Sequence, residues 1–453
     1  MNTISFDQQQ VYKNLHVLTK DIGSRWVGLS GNKKAGDHIS SYFSQLGLQT
    51  KEQLFSLEAV EILSYEFQII DPPLGIIASA PISASPDTPV GGLEADVIIV
   101  EDDRIEQIEN QMRGKIVLWF PHKNKFLPVD FCKYKPAAVI CISPHPGMKP
   151  AFDYRSQKAF WPNDPITSFC ISWEDGVKII QAQVKRAKIN LQSKFYSGEG
   201  RNIIGELKGL VHPDEIIVIS AHYDSPPFVE GAVDNASGVS VIMELARLFS
   251  LIGSKRTLRF IAWDAEEVGY RGSFHYINEL RDKGNSKDLS KAQNIKDVQK
   301  AGDQHLLCVN LDVLGMPLGY MTCHINGSKD IGSIIHSLGK ELGIDCQVSE
   351  DIYGSDHNPF ALFGIPSINF CEVGPAFDYI HTQDDTLDLI SLSRLEHQGI
   401  LIKTFIERYG VNATEWPFDN LVPESQKKAI EELLQKWLGA TYFDLMKCEE
   451  ITN

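Results

Sequence analysis

The chain predicts an α/β fold with a mixed, largely parallel central sheet, together with an inserted, mainly β domain. Three observations carry this reading. From about residue 202 to 409, short β-branched runs alternate with segments whose apolar residues recur at helical spacing, the pattern of strands joined by crossover helices. Between about 72 and 197 the sequence turns Pro-rich, with short apolar runs at 95–100, 114–120 and 137–142. In the later region, carboxylate and histidine residues recur at the ends of the strand-like runs, where an open α/β sheet places its binding crevice.

Taken in order, the first block reads as two amphipathic helices, with Val11, Leu15, Leu18 and Ile22 on the apolar face of one and Ala35, Ile39, Tyr42, Phe43 and Leu46 on that of the other. Gly47 ends the second helix, and a strand-like run covers 58–70. In the α/β block, strands are expected at 202–208, 215–221, 257–263, 307–313, 320–326 and 366–373. Helices are expected at 238–252, 270–281, 330–342 and 389–408. The mixed Lys and Asp of 281–304 lack periodicity and read as a solvated loop. A last helix starts with Pro423 in its first turn and ends at Gly439, with Ile430, Leu433, Leu434, Trp437 and Leu438 on one apolar face. Docking of that face on the body of the protein is the simplest expectation. The expected division is 1–71 for the N-terminal part of the catalytic domain, 72–197 for the insertion, 198–410 for the catalytic core and 411–453 for a helical extension.

Composition narrows the function. The 453 residues are 43% hydrophobic and 23% charged, as in ordinary globular enzymes. A formal charge of −16 argues against a nucleic-acid partner, which would require a basic face. No apolar run is expected to span a bilayer, and 1–10 lacks the charged and apolar regions of a signal peptide. The eight cysteines are scattered without a C-x-x-C pair, so reduced thiols and a cytoplasmic location are expected. No G-x-S-x-G elbow or phosphate-cradling glycine loop is present.

The chemistry lies in five short segments. Ala221-His222-Tyr223-Asp224 and Trp263-Asp264-Ala265-Glu266-Glu267 follow strand-like runs, as does Val309-Asn310-Leu311-Asp312. Asp234-Asn235-Ala236-Ser237-Gly238 opens a helix, and His381-Thr382-Gln383-Asp384-Asp385-Thr386 precedes the last long helix of the block. Two divalent ions about 3.5–4 Å apart can be held by one His and one carboxylate each, with a third carboxylate between them. His222, Asp234, Glu267, Asp312 and His381 supply that inventory. Glu266, beside a ligand, remains free to take a proton from water, and Asp224 is placed to orient the His222 imidazole. Singly, each residue has a blander reading: a surface histidine, a solvated Glu-Glu pair, a helix-capping Asp312. Their order and their common position at strand ends favour one site. Asp356, His357 and Tyr379 are weaker candidates for the cleft.

The ordered set H-x-D, D-N-A-S-G, E-E-x-G-x-x-G-S, N-x-D and H-T-x-x-D-T resembles the cocatalytic-zinc aminopeptidases of metallopeptidase family 28, the group that includes bacterial leucyl aminopeptidase and aminopeptidase Y. Gly114-Lys115-Ile116-Val117 and Ala137-Ala138-Val139-Ile140 resemble the protease-associated domain inserted in many members. The resemblance implies a three-layer zinc-exopeptidase fold and two Zn²⁺ per chain, with Co²⁺ or Mn²⁺ as substitutes. It implies Asp234 as the bridge, His222 with Asp312 at one metal and Glu267 with His381 at the other. Glu266 would be the general base and Asp224 the support of His222, and the Asp234–Asn235 peptide would be cis. The substrates implied are peptides with a free N-terminus. Glutaminyl-cyclase-like and carboxypeptidase-like enzymes share the fold, and some relatives are non-catalytic binding proteins.

Overall fold

The computed structural model describes residues 5–82, 85–101, 108–120, 131–143, 146–147, 149–152, 165–283 and 304–439. Two long strands organise it. β1 (Gln49–Asp71) and β8 (Arg186–Leu207) pair antiparallel from Gln49↔Glu206 to Asp71↔Arg186. Period-two burial starts at the beginning of this ribbon, with Gln53, Phe55, Leu57 and Ala59 inward. β1 thus begins at Gln49, well before the run at 58–70, because the inward residues of its first half are flanked by Lys51, Glu52 and Glu58 and form no continuous apolar stretch.

On one side of the ribbon lie β9 (His212–His222), β10 (Arg256–Trp263), β11 (Gln304–Leu311), β12 (Tyr320–Asn326), β13 (Cys346–Ser349) and β14 (Ser367–Val373). Their order is β13-β12-β14-β11-β9-β10-β8; the pairs β13/β12, β14/β11, β11/β9 and β9/β10 are parallel, and β12/β14 and β10/β8 antiparallel. On the other side, β4 (Leu93–Glu101), β5 (Ile116–Phe120), β6 (Ala138–Ile142) and β7 (Ser168–Ile171) run parallel, and β3 (Ser79–Pro81) closes the edge antiparallel to β7. β4 joins this sheet to β8, and β2 (Gly75–Ile77) pairs with β1. β1 ends at Asp71, where the sequence places the start of the insertion, whereas β8 runs from Arg186 through 197, where the sequence places its end.

The helices are α1 (Gln8–His16), α2 (Ser30–Gln45), α3 (Trp173–Gln181), α4 (Ser237–Ile252), α5 (Arg271–Lys283), α6 (Lys329–Leu342), α7 (Asn358–Phe363), α8 (Leu392–Phe405) and α9 (Glu424–Leu438). α1, α2, α4, α6 and α8 contribute to the largest core, where Val11, Ile39, Val239, Ile242, Ile335 and Leu401 meet the β9–β11 residues Ile219, Phe260 and Val309. α5 and α7 cover the opposite face, packing Tyr276, Ile277 and Phe360 against Val218, Ile261 and Trp263 of the sheet. The result is the helix–sheet–helix layering that an α/β sheet needs to bury both faces. Two short elements, β13 and α7, are too brief to leave a periodic signal.

Residues 232–252, which include α4, are long and apolar enough to cross a membrane by composition, contrary to the sequence expectation. However, 78% of its 18-residue apolar window is buried inside the protein, as expected of a core helix that is hydrophobic all round. Pro423 caps α9 from outside the first turn, where its fixed φ of −58° and missing N–H disturb no helical bond. Cys141, Cys170, Cys308, Cys323, Cys346 and Cys371 are reduced thiols. Most of the charged stretch 281–304 lies outside the described residues.

Candidate metal centre

Three adjacent parallel strands deliver the first residues. His222 ends β9, Glu266 and Glu267 follow β10, and Asp312 follows β11. Their registers, Trp263↔His222 and Asn310↔Ser220, bring those strand ends level with one another. Asp234 arrives from the turn that opens α4, with its peptide to Asn235 cis. His381 arrives from the loop after 375–379 and holds a positive φ of 61°.

These side chains converge. His222 Nε2 lies 3.1 Å from Asp234 Oδ1 and 3.2 Å from Asp312 Oδ1. His381 Nε2 lies 3.1 Å from Asp234 Oδ2 and 3.2 Å from Glu267 Oε2. Asp234 therefore turns one oxygen to each imidazole. Ligand atoms of His222, Asp234 and Glu267 all fall within 4.8 Å of one another, as do those of His222, Glu266 and Asp312. His222 belongs to both groups, so the Nε2 contacts, which are direct and short, are the better guide to how the histidines divide.

The surroundings hold these groups from behind. Asp224, fully buried, accepts backbone N–H bonds from Glu266 at 3.2 Å and Glu267 at 3.1 Å, and its Oδ1 lies 3.4 Å from His222 Nδ1. Asp385, also buried, accepts from the N–H groups of Val233 at 2.7 Å and Asp234 at 3.1 Å. Asn235 donates to Leu311 O at 2.8 Å and accepts from the N–H of Val313 at 3.3 Å, tying the Asp234 turn to the Asp312 segment. The buried Arg25 guanidinium donates to the carbonyls of Tyr223 and Gly231 at 2.7 and 2.9 Å and also to Glu230 O, fixing the loop between His222 and Asp234. The backbone N–H of Phe152 donates to His381 O at 2.9 Å.

So many carboxyl groups in one buried place perturb one another. Burial, with the charges of Asp234 and Asp224, pushes Glu267 up to about 8. Burial also holds Glu266 well above the ordinary range, aided by Glu267, Asp312 and Asp356. Asp385 is pushed up to about 7 by burial, against the hydrogen bonds it accepts. Burial would raise Asp234 too, but its bonds with the two histidines win and its carboxyl is lowered. Burial works against a charged His222, yet Glu266, Asp224, Asp234 and Asp312 raise it well above normal. Glu267 Oε1 has no hydrogen-bond partner. An uncompensated carboxylate cluster with an orphaned oxygen is what a cation site looks like without its charge. The donor set, two imidazoles and the three carboxylates of Asp234, Glu267 and Asp312, suits divalent ions of the zinc class.

All seven residues singled out from the sequence thus meet in one place. The weaker candidates lie around it. Asp356 is buried, accepts from Ser273 Oγ at 2.5 Å and is pushed up to about 8 by burial, with Asp224 and Asp312 adding to the shift. His357 is fully buried, and the Tyr379 carbonyl accepts the Thr382 hydroxyl. Sequence reasoning missed Asp385 and the role of Arg25, whose partners are distant in the chain. Asp385 had one legible cue, its place in H-T-x-x-D-T.

A cleft of about 460 Å³ opens above the cluster, with His222, Asp234, Glu266, Glu267, Asp312 and His381 on its floor. Glu266 alone among the four carboxylate residues is only half-buried.

Comparison with known proteins agrees with this geometry. Residues 202–406 match the model of peptidase family M28. Aminopeptidase YwaD of Bacillus subtilis (strain 168) is 28% identical over 418 residues, covering 88% of this chain and 84% of that protein. Carboxypeptidase Q of Homo sapiens is 27% identical over 299 residues, covering 59% of this chain and 61% of that protein. The structure of BSAP, a zinc aminopeptidase from Bacillus subtilis, superposes with a TM-score of 0.71 at 26% identity, covering 93% of this chain and 100% of that one. Residues 202–406 form a peptidase domain of family M28, and the chain that carries it is a metallopeptidase.

Proposed function

We propose that the chain is an aminopeptidase that releases the first residue of peptides through a centre of two zinc ions. The observation that carries this reading is Asp234, whose two oxygens face His222 and His381 separately. His222 and Asp312 would hold one ion, His381 and Glu267 the other, and Asp234 would serve both. When bound, the ions polarise the scissile carbonyl and make a water acidic enough to lose a proton near neutral pH.

The chain's own residues do the rest. Glu266 stands half-buried on the cleft floor, placed to take the proton of the attacking water and to hand it to the leaving amine. Burial and the neighbouring carboxylates raise its proton affinity, which suits a group that must accept and then release a proton. Asp224 fixes both the His222 ring and the backbone that presents Glu266. A free α-amine would be recognised by a bound ion together with a nearby carboxylate, as the resemblance to the zinc aminopeptidases implies.

The test is hydrolysis of aminoacyl anilides, free and N-acetylated, by protein dialysed against a chelator and then titrated with zinc. Cleavage of the free substrates alone, restored at about two ions per chain, is expected. Cleavage of neither, or of acetylated substrates equally well, would overturn the aminopeptidase reading.

A further inference from the structure

The helix α9 lies outside the stretch 202–406 that matches the family, and yet it borders the catalytic cleft. Its Leu433 and Trp437, with Leu438, line the cleft together with Ile352 and Tyr353. Leu438 packs against Gly269 in the turn that follows Glu266, and Leu433 and Trp437 pack against Gly354. A Cβ added to Gly269 would stand 3.2 Å from Leu438 Cδ2, and one added to Gly354 would stand 3.3 Å from the Trp437 ring and 3.5 Å from Leu433 Cδ2. The Gly269 N–H in turn donates to the Glu266 carbonyl at 2.8 Å. A Cβ at Gly354 would also meet the Tyr270 hydroxyl at 2.7 Å, so both glycines sit where the end of α9 closes on the cleft.

The preceding turns hold this end of the helix in place. Ile430 and Leu434, both fully buried, pack with Tyr270, Phe274 and Ala361. Gln426 donates to Ile325 O at 3.2 Å, and Gly439 ends the helix at a φ of 62°. Trp437 lines the cleft and is 42% exposed.

We propose that the end of α9 forms the pocket for the side chain of the substrate's first residue, and that Leu433, Trp437 and Leu438 give the enzyme its preference for large apolar residues. The inference rests on the aminopeptidase reading, in which the scissile carbonyl belongs to that first residue. A carbonyl placed for attack by water at Glu266 has its Cα substituent close by, within reach of the Gly269–Tyr270 turn and the helix packed on it. Apolar walls discriminate by removing substrate surface from water, worth roughly 10–200-fold for one methylene group in a well-shaped pocket.

The experiment compares kcat/KM for glycyl, alanyl, leucyl and phenylalanyl anilides on the zinc-loaded full chain, wild type and Trp437→Ala, with Leu433→Ala as a second variant. Wild type is expected to favour leucyl and phenylalanyl substrates. Trp437→Ala is expected to lose about tenfold more on those than on the alanyl substrate, mainly through KM. An equal loss on all four substrates, or an unchanged preference, would overturn the proposal. Calorimetric binding of leucine hydroxamate and glycine hydroxamate to the zinc-loaded protein decides the pocket independently of turnover. If wild type cleaves no anilide, the aminopeptidase reading falls. Tighter binding of the leucine compound, lost in Trp437→Ala, would still support the pocket, and equal binding of the two would overturn it.

Discussion

Replacing Asp224 by Asn tests how the site is held together. The change keeps the shape of the side chain but leaves one acceptor where there were two. Both oxygens of Asp224 face donors, the N–H groups of Glu266 and Glu267, at 3.2 and 3.1 Å. The amide nitrogen of Asn would point a donor at one of these N–H groups and strand it in a buried place, at a cost of about 1–3 kcal/mol. The bond that survives would lose its charge assistance, about another 1 kcal/mol. Opposing this, removal of one carboxylate relieves repulsion with Asp264 and Glu267 in the metal-free protein. Zinc affinity is free of that cancellation, because the His222 ring loses its negative partner and the site loses negative charge. Loss of such a partner typically weakens metal binding by about 10–100-fold, or about 1.4–2.7 kcal/mol. Competition with a chromophoric chelator measures it. A zinc affinity within about twofold of wild type, well short of that range, would refute the assignment of Asp224 as the residue that positions His222.

Further expectations concern other parts of the same account. Glu266→Gln should retain wild-type zinc content while kcat falls by about 10²–10⁴-fold; metal analysis beside steady-state kinetics separates this from loss of the site. Gly238→Ala would set a Cβ 2.4 Å from Asn235 Oδ1 and 2.6 Å from Leu311 O, so overpacking should cost about 1–3 kcal/mol in urea unfolding of the chelated protein; an unchanged midpoint would contradict the close packing of α4 on the Asp312 segment. His357 is fully buried, neither ring nitrogen has a partner, and burial with the nearby His324 holds it down to about 3. Its folded pKa lies below the unfolded value of about 6.5, so the unfolded chain binds more protons between those limits and stability falls as pH drops from about 6.5 towards 3. His357→Phe should shrink the stability difference between pH 7 and pH 5 by about 2 kcal/mol, and an identical difference in both proteins would show that His357 is not the group responsible.

The alternation of β-branched runs with amphipathic segments made the central sheet readable, because strands buried on both faces leave continuous apolar runs such as 216–219. The ligand set was readable for a related reason. Parallel strands in register end at one edge of the sheet, so residues that follow such runs are brought together by topology alone. His222, Glu267 and Asp312 meet in this way. The supporting residues follow no such rule. Asp385 reaches back to Asp234 across 151 residues, and Arg25 donates to the Tyr223 carbonyl 198 residues away. Nothing local in the sequence marks either pairing. The long ribbon was only half visible, since its first half alternates apolar with charged residues and carries few β-branched ones. The apolar face of α9 was recognised as a docking surface, but its periodicity does not distinguish Ile430 and Leu434, which bury, from Trp437, which borders the cleft. That difference comes from where Gly269 and Gly354 allow the helix to approach.

Anomalous diffraction at the zinc edge from crystals of the zinc-loaded protein addresses the central claim most directly. The account predicts two peaks about 3.5–4 Å apart, one against His222 and Asp312, the other against His381 and Glu267, with Asp234 between them. A single peak, or two peaks that do not share Asp234, would contradict it.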